Sequence, residues 1–513
     1  MQHIPEETPV IIGVGQYAER LGAEWYLGLS PLDLAARALV GAIQDCGAAG
    51  SVAGAIDTVA AIRQFELSVP GLKPRFGASN NPPRSIASRA GVSPRRAILE
   101  VVGGQGSQRL IGELAQEIAA GRCHVAAVVG AEAMSTERGL RERQGGRPDW
   151  SESVAGSLED RGYGVEGLLE PTLRAHGVVE PVAVYALFEN ARRSLQGLTL
   201  SDYRLEMGRL FAPFTNTAAA NPFAASAVVR TPQEIATVSE RNRIVAEPYT
   251  RLCVARDQVN QGAAVVLASV GAARALGVPA DQWVYVHGVA ETREVPVLSR
   301  PELATSPASL ASVLKALQLS RLEMSDVRYL DLYSCFPIAV FNLIEALGIS
   351  ADDSRGLTLA GGLPYFGGPG NNYATHAIVE AVQRLRLDGD SYALVGANGG
   401  YMSKYVTGVY SRRPARWDEV DRFESMGELG SRIPIVEHHE GPAVLETYTV
   451  QPHKQGTAGV MVCRTPVGQR LIARTVSGDD STLALLQQGD VFGRTVWVEQ
   501  DHKKRNIARF EKA

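Results

Sequence analysis

Apolar positions follow two rhythms along this chain, and their alternation outlines its architecture. Residues 9–17 (PVIIGVGQY) are an apolar run suited to a strand buried on both faces. The stretch SPLDLAARALVGAIQDCG that follows has apolar residues three and four apart, which predicts an amphipathic helix; its serine precedes a proline, as in a cap followed by the first helical position. DTVAAIRQ predicts a second strand, and RAILEVV, a helix over 105–120 and VAAVVGAEAM complete a strand–helix–strand unit.

A similar order returns in the second half. QWVYVHGVAE reads as a strand and PASLASVLKAL as a helix. VRYLDLYSC is a strand running into the helix FPIAVFNLIEALG, and a helix over 371–387 precedes the strand YALVGANGG. Each half thus holds Gly-Gly, a helix of similar length and an apolar strand ending in glycine, an internal duplication of pattern at low identity. Between the halves, residues 135–249 are polar and glycine-rich at first, then helical by spacing in PVAVYALFENARRSL and LSDYRLEMGRLFAPF; this segment reads as an excursion packed over a site. Beyond about residue 414 the texture changes to short alternating strands (AVLETYTVQPH, TAGVMVCRTP, QRLIARTVS, DVFGRTVWVEQ), which predicts a small antiparallel barrel that the rest of the chain does not need in order to fold.

Composition narrows the class. The 513 residues are 45% hydrophobic and 21% charged, with a net charge of −4, too long a chain for one core and without the basic stripe of a nucleic-acid binder. Cys46, Cys123, Cys253, Cys335 and Cys463 are scattered, and none pairs at metal-ligand spacing, so no metal is expected and the thiols read as reduced. MQHIPEETPV lacks the apolar core of a signal peptide, and no apolar run reaches membrane-spanning length; a cytoplasmic protein with no membrane insertion is expected.

The strings VVGG, DLYSCFP, GGLPYFGGPGNNY and GANGGYMSK, with the duplicated halves and the long insertion, resemble the thiolase superfamily over residues 1–414, in particular its thiolase-like branch often labelled acetyl-CoA acetyltransferase, whose members carry an extra C-terminal β-domain. The resemblance implies an α/β chain: a duplicated thiolase fold with a five-layered αβαβα core, a loop-domain insertion and a small OB-like barrel. The expected parts are 1–134 plus 250–280 as the N-terminal half, 135–249 as the loop domain over an acyl-CoA site, 281–414 as the C-terminal half, and 415–513 as the barrel. It also implies an acyl-CoA thioester as partner, no bound cofactor beyond coenzyme A as part of the substrate, and a homodimer or a monomer.

The catalytic side chains of the family are missing. Its nucleophilic cysteine, favoured at a helix start because free N–H groups stabilise a thiolate, falls at Gly104. Its histidine falls at Gly368, its asparagine at Tyr333, its glutamate at Ser334 and its second cysteine near Ala397. What the resemblance leaves is a pair of backbone N–H groups, at Gly104 and Gly399, matching an oxyanion hole.

Several side chains are candidates to replace what is lost. Tyr333 can act as a phenolic acid or base, as tyrosines near this motif are thought to do in thiolase-fold aldolases, or it is a buried tyrosine with a satisfied hydroxyl. His376 and His176 are candidate bases or core histidines. Cys335 is the one cysteine inside an active-site string and is either reactive or a small hydrophobe. Gly368, Asn371, Asn372, Tyr373 and Asn398 offer a binding wall, or else a turn and a helix cap. The functional expectation is an acyl-CoA-binding, acyltransferase-like protein that makes or breaks a carbon–carbon bond beside a thioester without the usual cysteine. The alternatives are a non-catalytic acyl-CoA or lipid-binding or interaction protein, and an aldolase-type lyase using tyrosine.

Overall fold

The computed structural model describes residues 4–142, 147–165, 170–417, 421–453 and 456–510. The N-terminal half contributes strands Pro9–Glu19, Thr58–Ala61, Arg96–Leu99, Val125–Ala133 and Asn260–Ser269; the C-terminal half contributes Val284–Glu294, Val327–Asp331, Tyr392–Gly399 and Lys404–Ser411. In space the first half runs third, second, fourth, fifth, first strand; the second half runs first, fourth, third, second, so the two mirror each other about the join. The join is short: Val10 pairs with Tyr285 and Ile11 with Val284, which makes one continuous sheet of the two.

Helices cover this sheet in layers. Pro31–Asp45 packs outside the first half and Pro307–Ser320 outside the second, while Gly106–Ala119 and Tyr373–Asp388 each touch strands of both halves and form the middle layer. The duplication and the αβαβα layering expected from sequence are therefore present. Local chemistry fixes where helices begin. Ser30 Oγ accepts from Asp33 N at 3.2 Å while the Asp33 carboxylate accepts from Ser30 N at 3.3 Å, a reciprocal cap ahead of Pro31.

The last domain is a closed barrel in which Gly441–His453, Gly456–Arg464, Arg470–Thr475, Asn506–Phe510 and Thr495–Gln500 are successive neighbours. The helix Asp480–Gln488 lies between the third and fourth strands in sequence, as in an OB-fold. The core-to-barrel boundary differs from the expected residue 415. Phe423–Leu429 joins the core sheet, parallel to Val284–Glu294, and Phe423 packs where a Cβ on Gly112 of the middle layer would lie 2.5 Å from its ring. Its polar exposed residues hid this strand, because only one of its faces meets the core.

The barrel is bound tightly to the rest. Val460, Val462 and Ile472 on its outside belong to the main hydrophobic core, apart from the barrel's own interior cluster. Asn190 Nδ2 donates to Glu247 O and Tyr448 O, both at 2.9 Å, and the buried Arg193 donates to Tyr448 Oη at 3.0 Å. Arg470, also buried, donates to Leu298 O at 2.9 Å and pairs with Glu446.

Within the 135–249 excursion the long helices are Pro181–Gln196 and Leu200–Ala220, the second continuing through Pro213 beyond the predicted stretch. Residues 143–146 and 166–169 of this excursion lie outside the described residues. No helix among the described residues is long and apolar enough to cross a membrane.

Candidate active site

The middle-layer helix starts at Gly106 with Gln105 as its cap residue, one residue after the start at 105 expected from sequence. The N–H groups of Gly104 and Gln105 have no acceptor among the described residues, so this end of the helix presents free donors. A Cβ built on Gly104 would lie 1.7 Å from Tyr333 Oη, 2.5 Å from Tyr333 Cζ and 2.6 Å from Asn398 O. No side chain fits there. The tyrosine hydroxyl occupies the place where a nucleophile on residue 104 would begin.

Tyr333 is delivered by the turn after Val327–Asp331 and has φ of +55°, a conformation bulky residues avoid unless their surroundings impose it. Asp331 supplies much of that imposition. It is fully buried, its Oδ1 accepts from Tyr333 N at 3.4 Å, and its Oδ2 accepts from Leu359 N at 2.9 Å, Thr358 Oγ1 at 3.0 Å and Tyr373 Oη at 3.2 Å. The Tyr373 ring stands edge-on to the Tyr333 ring at 5.5 Å. Burial pushes the Tyr333 hydroxyl well above the usual phenol range, with Cys335 and Asp331 adding to the effect. The resting group is a phenol, and it has no hydrogen-bond partner among the described residues.

Around this pair the polar atoms are unusually idle. Gln105 Oε1 sits between Gly103 and Gly399, 2.0 and 1.8 Å from where their Cβ atoms would stand, and has no partner; Asn398 Oδ1 is likewise buried without one. Asn398 Nδ2 donates to Tyr185 Oη at 3.0 Å and to Cys335 Sγ at 3.8 Å, and the Tyr185 ring stacks on Phe336 at 4.2 Å. Burial raises the Cys335 thiol to about 12, so it is no thiolate near neutral pH. The space beside Tyr333 and Asn398 is about 10 Å³.

The remaining candidates divide. Asn371 Oδ1 accepts from Gly103 N at 3.1 Å, tying the 370 loop to the glycine turn, while Asn372 Nδ2 donates to Gly130 O at 2.7 Å. Gly368 lies against Ala255, Arg256 and Leu363 with ordinary spacing, and none of its nearest neighbours belongs to the Gly104 turn. His376 is buried against Phe366, with Nδ1 at 2.6 Å from Gln16 Oε1, and desolvation lowers it to about 3. His176 is elsewhere altogether: Nδ1 donates to Thr172 O at 2.7 Å and Nε2 accepts from Asn506 N of the barrel at 3.1 Å. The structure thus brings Gly104, Tyr333, Tyr373, Cys335, Asn398 and Gly399 together, with Asn371 behind them, and places both histidines in other environments.

Sequence reasoning missed Asp331, Gln105 and Tyr185. An acid inside the apolar strand VRYLDLY was the readable sign of Asp331, because a buried carboxylate needs several donors. Nothing in the sequence marks Tyr185, which reaches the site only through the packing of the excursion helix.

Comparison with known proteins agrees with this architecture. Residues 431–503 match the family model for the additional C-terminal domain of thiolase-like protein type 1. The crystal structure of a monomeric SCP2-thiolase-like protein type 1 from Mycobacterium smegmatis is 38% identical, covers 99% of this chain and 100% of its own, and superposes with a TM-score of 0.82. The Ltp2-ChsH2(DUF35) aldolase (20% identity, 80% of this chain, 99% of its own, TM-score 0.55) and the acetyl-CoA acetyltransferase from Syntrophomonas wolfei (15%, 80%, 100%, 0.54) share the fold. No curated protein matches the chain. With 38% identity sustained over almost its whole length, the chain belongs to the SCP2-thiolase-like proteins of type 1, within the thiolase superfamily.

Proposed function

We propose that this protein binds an acyl-CoA thioester at the Gly104–Tyr333 site and makes or cleaves a carbon–carbon bond beside the thioester carbonyl, with no acyl-cysteine intermediate. One observation carries the reading: a protonated, unpartnered tyrosine hydroxyl stands at the free N–H end of the middle-layer helix, where thiolases hold their nucleophile. In this reading the thioester oxygen takes up the Gly104 N–H, with Gly399 as the second donor, so that enolate charge meets fixed dipoles. The phenol is the resting form, so in the cleavage direction Tyr333 gives its proton to the enolate carbon, and the phenolate left behind takes up the proton released when the other fragment's hydroxyl becomes a carbonyl; in the reverse direction the same two transfers run backwards. The likeness to an aldolase and to an acetyltransferase of this fold favours chemistry next to a thioester, and the tyrosine favours the aldolase-type branch over acyl transfer. We give the protein a monomeric state, because the outer strand Arg96–Leu99 is already paired by Glu159–Asp160 and sealed by Arg96–Glu159 and Arg161–Glu113 ion pairs.

A second reading has its own support. With about 10 Å³ beside Tyr333, the place is nearly filled by the protein's own side chains, which favours the interaction protein among the non-catalytic alternatives. Calorimetric titration with CoA and acetyl-CoA, followed by intact mass, tests both readings. The proposal expects binding of acetyl-CoA, weakened in Gly104→Leu, and an unmodified protein mass. A stable acyl adduct on Cys335 would sink the non-covalent mechanism, and no binding at millimolar ligand would leave the interaction reading in front.

A further inference from the structure

A second cavity, of about 130 Å³, shares no lining residue with the space beside Tyr333. It opens between the start of helix Pro31–Asp45, the loop at 64–82, the end of strand Val125–Ala133 with the helix that follows, and the segment 149–152. Its walls are acidic. Glu66, Glu132, Glu137 and Asp149 line it, with the indole of Trp150 beside them. Asp33 and Glu152 also reach it, but their charge is met by Arg89, which bonds Asp33 Oδ1 at 2.8 Å and both Glu152 oxygens at 3.0 and 2.9 Å. Arg141 bonds Glu66 at 2.8 Å and lies 3.6 Å from Glu137. Those two arginines are all the cation found against six carboxyl groups in the described residues of this region.

Glu132 stands out. It is 2% exposed, no arginine or lysine pairs with it, and its Oε1 accepts from Phe65 N at 2.7 Å. Its other oxygen has no partner among the described residues and belongs to a side chain that lines the cavity. A carboxylate so deeply buried is costly without a cation or further donors. We infer that this cavity is a binding site for a small organic cation carrying a primary ammonium or guanidinium group, held by Glu132 and Glu137 with Trp150 as its apolar wall. N–H donors answer the free carboxylate oxygens, and one indole is too little of a cage for a quaternary ammonium ion. No group of three acidic, histidine or cysteine side chains among the described residues is placed to hold a metal ion, which separates this site from a divalent-cation site. The volume holds on the order of ten non-hydrogen atoms. Without a cation, burial raises the Glu132 carboxyl to about 8, and burial with Glu66 alongside raises Glu137, so an arriving cation displaces protons.

The test is calorimetry on the full-length protein near neutral pH with putrescine, agmatine and choline, repeated in two buffers of different ionisation enthalpy. Putrescine or agmatine binds at millimolar concentration or below, at least about tenfold tighter than choline, with release of about one to two protons per cation. Glu132→Gln keeps the Phe65 bond, melts no lower than wild type, weakens the amine at least about tenfold and lowers the proton release by about one. Binding of none of the three cations, equal or tighter binding of choline, or affinity unchanged in both Glu132→Gln and Glu137→Gln would overturn the site. Titration with acetyl-CoA in the same experiment reads the Gly104 site separately, so failure of one does not imply failure of the other.

Discussion

The hydroxyl of Tyr333 stands 1.7 Å from where a Cβ on Gly104 would be, so the two residues are alternatives for a single space. In a thiolase-like site that space belongs to the nucleophile. Here the helix end keeps its free N–H groups, the side chain is gone, and a phenol from the opposite half of the duplicated core has taken its place.

That exclusion makes Gly104→Ala destabilising by about 1–3 kcal/mol, the range for overpacking a filled interior. Tyr333→Ala opens a cavity and is destabilising too. Combined, the two changes are expected to cost less than their sum, with a coupling of about 0.5–3 kcal/mol, because Tyr333→Ala removes the clash with the phenol and leaves only the close approach to Asn398 O. Urea unfolding of the four proteins reads this directly; strict additivity would mean the two side chains do not share the space.

The barrel is expected to be required for a soluble core, against the independence that its sequence texture implies. A chain ending after Gly430 uncovers the core face under Val460, Val462 and Ile472, each worth roughly 1.5–3 kcal/mol when buried, and leaves Arg193 without Tyr448. Aggregation or loss of a cooperative melt is the expected outcome. A truncated chain that stays monomeric and melts within a few degrees of the full chain would contradict it.

His176 gives the barrel contact a pH dependence. Desolvation, helped by Arg505 and Arg474, lowers its pKa in the folded protein, so the unfolded chain binds the proton first as pH falls. The stabilisation is complete above about pH 6.5, the unfolded value, and is lost progressively below it. Protonation also removes the Nε2 lone pair that accepts from Asn506 N. The Asn506 amide should therefore lose protection from hydrogen exchange, relative to its intrinsic rate, between neutral pH and pH 5. His176→Phe should show low protection at both.

The apolar rhythm made the duplicated core legible from sequence, because strands buried on both faces and helices with one apolar stripe leave clear periodicities in PVIIGVGQY and in the helices that follow. Phe423–Leu429 escaped for the opposite reason: an exposed strand carries no such pattern. At the site, Gly104 and Tyr333 could each be named from sequence, but their mutual exclusion could not, since they lie on different halves and meet only through the join of the sheets. His376 had the right residue type next to the right motif. Its Gln16 partner sits 360 positions away, and a contact so distant in sequence has no local signature.

The central claim is that Tyr333 moves a proton at the carbon beside a thioester. The most direct measurement needs no knowledge of the second substrate: incubate the protein with acetyl-CoA in deuterium oxide and follow deuterium entry at the acetyl methyl by mass spectrometry. Only the phenolate form of Tyr333 removes a proton, so the account expects exchange above the protein-free rate that rises with pH, its loss in a folded Tyr333→Phe variant, and no acyl group on the protein. Exchange that persists in Tyr333→Phe, or an acylated cysteine, would contradict it.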